Sequence, residues 1–167
     1  MKYRVFLNWW LFFVLIAAMF SHALANGLVE QVWESDFTKL SFVNLFLLAG
    51  TSLWCGYHSW NFTCLINNDR ISTDEMERLG HKVETGWFIS DLTLTIGMAG
   101  TVIGFIAMLG GFALLDIENI STIQDLITEL GTGMSTALYT TLTGIISSAL
   151  LKIQCYNLSH SIDQYLK

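Results

Sequence analysis

The stretch STALYTTLTG, Ser135 to Gly144, packs four threonines into ten residues of an otherwise apolar run. A hydroxyl has two chemical uses in such a place. It can donate to the carbonyl three or four residues back and so hide itself. It can also solvate a small cation or take part in a proton relay. Thr136, Thr140 and Thr141 recur at helical spacing here, and Thr101 stands in the preceding apolar run. These four are the candidate ion-pathway residues. Beside them run glycines at steps of three, four and seven: Gly97, Gly100, Gly104 and Gly111, with Gly144 in the threonine-rich stretch. Small residues on one helix face let two backbones approach closely, which is how helices associate in lipid.

What is missing from these runs matters equally. A proton path across hydrocarbon normally uses an intramembrane carboxylate or histidine. Asp91 and Glu129 lie at the ends of the apolar runs, His22 sits near the outer end of the first run, and His58, His81 and His160 fall in or near polar segments. A conducting role therefore calls for a titrating acid on another polypeptide. No HExxH, no Ser-His pair at suggestive spacing and no metal-ligand cluster is written in the chain, so catalytic and metal-binding residues are expected to be none and the chain is not read as an enzyme. Three cysteines, Cys55, Cys64 and Cys155, form neither a disulfide framework nor a zinc motif.

The elements that must position these residues are long and apolar. The 167-residue chain is 53% hydrophobic and 13% charged, with a mean hydropathy of +0.51. A soluble domain carries roughly 25% charged residues. Apolar runs cover 5–25, 40–57, 92–115 and 133–151, each near the length a spanning helix needs. The expected fold is an all-α integral membrane protein of four transmembrane helices. It has three if the first run, which opens after Lys2 and Arg4 and ends in Ala-Leu-Ala, is a cleaved signal. Seven of the eight basic residues fall on one side of such a topology, Lys39 being the exception, so both ends are expected to be cytoplasmic if the first run is retained. The net charge of −6 and the lack of a basic stripe argue against nucleic acid.

The expected organisation is a two-helix hairpin over 1–58, then a short cytoplasmic linker with a helix over 59–91. The core pair follows over 92–154 around an outer loop at 116–132, and a cytoplasmic tail closes the chain at 155–167. The linker helix could run straight into the third span, and Ile120, Ile123, Leu126 and Ile127 suggest a short amphipathic helix in the outer segment. Arg70, Glu75, Glu77 and Arg78 are a candidate contact patch for a partner or load, against the plainer alternative of a solvated helix face.

The segments GMAGTVIGFIAMLGGF (Gly97–Phe112) and GTGMSTALYTTLTGIISSAL (Gly131–Leu150) resemble the paired core helices of the MotA/TolQ/ExbB proton-channel family. The resemblance implies a bacterial inner-membrane protein that forms a homo-oligomer, a pentamer, around a single-helix partner of the MotB, TolR or ExbD type. It implies that the partner's membrane aspartate carries H+ or Na+, with no further cofactor, and that the assembly converts ion flow into mechanical work. Thr101 and Thr141 match the family's pore threonines, while Thr136 stands where relatives often carry a glutamate. The other reading open at this point is a non-conducting membrane scaffold whose glycine and threonine faces serve only packing.

Overall fold

The computed structural model describes residues 4–67, 73–112 and 120–166. They form five helices and, among the described residues, no strand: α1 (Arg4–Ala25), α2 (Leu28–Ser35), α3 (Leu40–Asn67), α4 (Thr73–Phe112) and α5 (Ile120–Leu166). All except α2 contain a stretch long and apolar enough to cross a membrane. α4 and α5 pack antiparallel along most of their length, and α3 lies against both.

α4 has 40 residues and α5 has 47. At 1.5 Å per residue they run about 60 and 70 Å, against a hydrocarbon core of about 30 Å. They therefore project well beyond it, α4 on the side that holds Arg78 and Lys82 and α5 on both sides. In the segment expected to hold a linker helix, α3 continues to Asn67, and α4 starts at Thr73 and runs straight into the third span. The amphipathic outer segment and the expected tail are likewise the two ends of α5. On the basic side the physical reason is a second core below the membrane. Phe62 of α3, Leu79 and Val83 of α4, and Leu158 and Ile162 of α5 bury one another there, joined at the top by Cys55 and Cys155. Helical spacing of these residues keeps the stripe facing inward after the apolar runs end, and the chain has no proline to stop the helices.

α1 packs on the outside of this bundle against α3 and α5, with Phe6 edge-on to Trp60 and Trp9 seated on α3. The Trp9 ring lies so close over Gly56 that a Cβ there would overlap it. The Trp9 indole N–H donates to the Ser52 carbonyl at 3.0 Å, and Phe13 stacks on the ring.

On the opposite side the chain turns sharply from α2 into α3. Asp36 is fully buried, and its carboxylate accepts the backbone N–H groups of Thr38, Lys39 and Ser41 together with the Thr38 hydroxyl. The Ser41 N–H is one that a helix start leaves without a partner, and those of Thr38 and Lys39 belong to the turn before it. Burial pushes the Asp36 carboxyl up, but the donors at Ser41 and Thr38 outweigh it and hold the group below its ordinary value. Lys39 takes a left-handed backbone angle of 57° to close the turn. Its ammonium sits 3.7 Å from the centre of the Trp33 ring and donates to the Trp33 carbonyl. The one basic residue on this side is thus held in a cation–π contact.

Candidate functional site

The contact line between α4 and α5 is built from absent side chains. Gly104 lies against Gly133 and Ala137, Gly100 against the Thr140 side chain, and Gly97 against the Thr140 carbonyl and the Gly144 backbone. A Cβ on Gly97 would stand 3.0 Å from the Thr140 oxygen and 3.1 Å from Gly144 Cα. Such an approach brings polar groups of the two helices within reach of each other. Further along, the Ser90 hydroxyl reaches the Ser148 carbonyl at 3.0 Å, and Lys152 pairs with Asp91 at 2.9 Å. Gly111 lies two turns beyond Gly104, near the end of α4.

Thr101 and Thr141 meet on this line. Their hydroxyls are in hydrogen-bond contact, and they lie 3.2 and 3.3 Å from the Gly97 carbonyl, with Thr141 also 2.9 Å from the Ala137 carbonyl. Both side chains are partly exposed. Each hydroxyl owns one proton and two lone pairs. Two protons are thus shared among two carbonyls and two hydroxyl oxygens, and more than one arrangement satisfies the pair. That leaves oxygen lone pairs at the surface of the chain, near the middle of the apolar stretch.

Thr136 and Thr140 do not share that surface. Both are fully buried inside the chain. The Thr140 hydroxyl donates back to the Thr136 and Ala137 carbonyls and packs on Gly100. The Thr136 hydroxyl donates to the Ser35 carbonyl at 2.8 Å and accepts from Phe37 N–H at 3.4 Å. Thr136 therefore fastens α5 to the α2–α3 turn beside Asp36. The four threonines divide into two that face outward and two that hold the fold. Of the candidate contact patch, Arg70 lies outside the described residues, Glu75 and Glu77 stand on the opening turns of α4, and Arg78 is exposed.

Sequence reasoning passed over α3, where an inner stripe is polar. Ser41, Asn44, Ser52 and Ser59 are buried, and among the described residues their side-chain polar atoms find no partner. Asn44 is the sharpest case, because both ends of its amide are unpaired. Its nitrogen lies 3.2 Å from where a Cβ on Gly144 would be, so the same glycine makes room for α4 and for Asn44. The signal was visible as an asparagine and serines spaced through an apolar run, but it has no known spacing rule to attach to.

The profile of one protein family, described as the MotA/TolQ/ExbB proton channel family, matches residues 68–166, more than half of the chain. The chain belongs to the MotA/TolQ/ExbB proton channel family. The match takes in all of α4 and α5, so the MotA/TolQ/ExbB region coincides with the close-packed helix pair and its projection beyond the membrane. This is a channel family and not an enzyme family. With four helices able to span, the chain is a multi-pass membrane protein. No curated protein and no solved structure matches the chain.

Proposed function

We propose that this chain is the A-type subunit of an ion-driven motor in the bacterial inner membrane. Copies of it, five by analogy with the family, surround a single-helix partner of the MotB, TolR or ExbD type. The partner supplies the aspartate that takes up and releases H+ or Na+. The Thr101 and Thr141 hydroxyls face that aspartate and replace part of the ion's hydration as it passes. Ion flow then drives movement between this chain and the partner, and the load is attached on the partner's side.

The observation that carries this reading is the Thr101–Thr141 hydroxyl pair over the Gly97 carbonyl. It puts several oxygens at one partly exposed spot on a helix pair whose exposed side chains are mostly apolar there. Hydroxyls do not titrate near neutral pH, and the spans hold no carboxylate, so an acid from elsewhere is required. Thr136 and Thr140 are assigned to holding α5 against its neighbours, not to the path.

The test is Thr141→Val, which keeps the shape and removes the hydroxyl. The chain is co-expressed with its single-helix partner and reconstituted in vesicles carrying a pH-sensitive dye, with and without sodium. Proton or sodium flux is expected to fall about tenfold, the rate change that goes with a lost contact of about 1.4 kcal/mol, while the complex keeps its mass. Unchanged flux would remove Thr141 from the path. No flux in the wild-type complex, with assembly intact, would favour the scaffold reading.

A further inference from the structure

Between α3 and α4, away from the α4–α5 contact, the surface carries a groove of about 380 Å3 lined by Phe46, Gly50, Trp54, Thr85 and Ile89 among others. Its walls are mostly apolar. Gly50 forms part of its floor, and a Cβ there would meet nothing within 4 Å. Phe46 lies at the end toward mid-membrane. Trp54 and Thr85 lie at the end where the apolar run of α3 gives way to polar residues, the depth at which amphipathic rings collect.

The stripe of α4 that borders the groove does not end at Thr85. Ile89, Thr85, Lys82 and Arg78 follow one another at steps of four, three and four, so they share one side of the helix. Lys82 and Arg78 are exposed. Lys82 also lies within electrostatic range of His58 on α3, which puts its charge near the mouth of the groove. Of the acids nearby, Glu84 contacts His81 and Asp91 contacts Lys152, while Asp74 and Glu75 precede Arg78 by one turn of the sequence.

An apolar channel running up from a pair of cations one and two turns below its mouth has the chemistry of a phospholipid with an anionic headgroup. We infer that the α3–α4 groove binds an anionic phospholipid of the leaflet on the basic side. One acyl chain lies along Gly50 and Phe46, the Trp54 and Thr85 polar atoms sit at the ester level, and the phosphate meets Lys82 and Arg78. Basic side chains at such a position attract anionic lipid by charge, and the groove adds a shape that a solvated helix face lacks. The inference does not depend on whether the chain conducts ions.

The test uses the full assembly purified in detergent and offered an equimolar mixture of phosphatidylglycerol and phosphatidylcholine with identical acyl chains. Retained lipid is counted by native mass spectrometry. Phosphatidylglycerol is expected in excess, by roughly fivefold for each basic side chain that touches it. The double variant Arg78→Gln, Lys82→Gln is expected to bring the ratio to one with the assembly mass unchanged. Gly50→Leu, which fills the floor, is expected to lower retention of both lipids. Equal retention of the two lipids by the wild type, or a preference that survives the double variant, would overturn the inference. So would efficient cross-linking of Gly50→Cys between copies in a Cys64→Ser background, because the groove would then be covered by a second copy of the chain. Should Gly50→Leu fail to assemble, the charge variant and the cross-link still decide.

Discussion

Thr101 of α4 and Thr141 of α5 meet hydroxyl to hydroxyl beside the Gly97 carbonyl. Interhelical hydrogen bonds in membranes average about 0.6 kcal/mol and reach about 1.7 kcal/mol. A double-mutant cycle with Thr101→Val and Thr141→Val, read by unfolding in mild detergent, is expected to give a coupling within that range. Strict additivity would mean that the two hydroxyls act separately.

The close approach at Gly97 makes a second expectation. Gly97→Ala pushes a methyl group onto the Thr140 carbonyl and Gly144 Cα, and overpacking of this kind costs about 1–3 kcal/mol. At Gly110 and Gly131 a methyl group would point into open space. Alanine at either is expected to be neutral or to stabilise by up to about 1 kcal/mol through helix propensity. Thermal unfolding of the three variants side by side checks the contrast.

Asn44 is expected to behave in the opposite sense to a packing residue. Among the described residues its buried amide has neither end paired, and replacing an unpaired polar group by an apolar one of similar size is often neutral or stabilising. Asn44→Leu should therefore unfold at the same temperature or higher. A loss of more than about 2 kcal/mol would show that the amide is satisfied in the working protein.

The Asp36 turn should give an acid-dependent stability. The folded-state pKa is held below the ordinary carboxylate value of 3.8. A group depressed in this way stabilises fully above its unfolded pKa, and the contribution is lost as pH falls through the folded one. Stability from Asp36 is thus expected to be flat from neutral pH to about 4 and to decline below that. Asp36→Asn should remove that portion of the acid dependence, and Asp36→Ala should cost about 0.5–2 kcal/mol at neutral pH, the usual range for a lost helix cap.

Thiol labelling gives a simple check on the bundle below the membrane. Cys64 is exposed, while Cys55 and Cys155 are buried with their sulfurs 3.8 Å apart under Gly86. A maleimide added to the native assembly is expected to modify Cys64 alone, and all three cysteines after denaturation.

The four spanning runs were legible because the apolar stretches are long and uncharged, and the glycine spacing of α4 announced a close-packed face. The pairing of Thr101 with Thr141 was legible only as two hydroxyls in neighbouring runs. The separation of Thr136 and Thr140 from Thr141 was not, because all three lie within six residues and helical spacing alone does not say which side meets a partner. The ends of the helices depart from the hydropathy pattern in one consistent way. Hydropathy drops after Tyr57 and Leu151, yet Phe62, Leu158 and Ile162 keep their inward spacing and pack on α4. Burial between helices, not contact with lipid, sustains those turns. The Trp9–Gly56 contact joins residues 47 positions apart and has no local pattern to betray it.

α5 is one unbroken helix from Ile120 to Leu166. Thr141 and Ile162 stand on the same rod, about 30 Å apart along its axis. Such a rod acts as a lever: a tilt of about 10° pivoting near Thr141 would sweep the Ile162 end sideways by about 5 Å. Gly97 and Gly144, touching backbone to backbone, stand one turn from that pivot. A small displacement in the middle of the membrane would thereby reach the Ile162 end, on the basic side, enlarged and without any intervening joint.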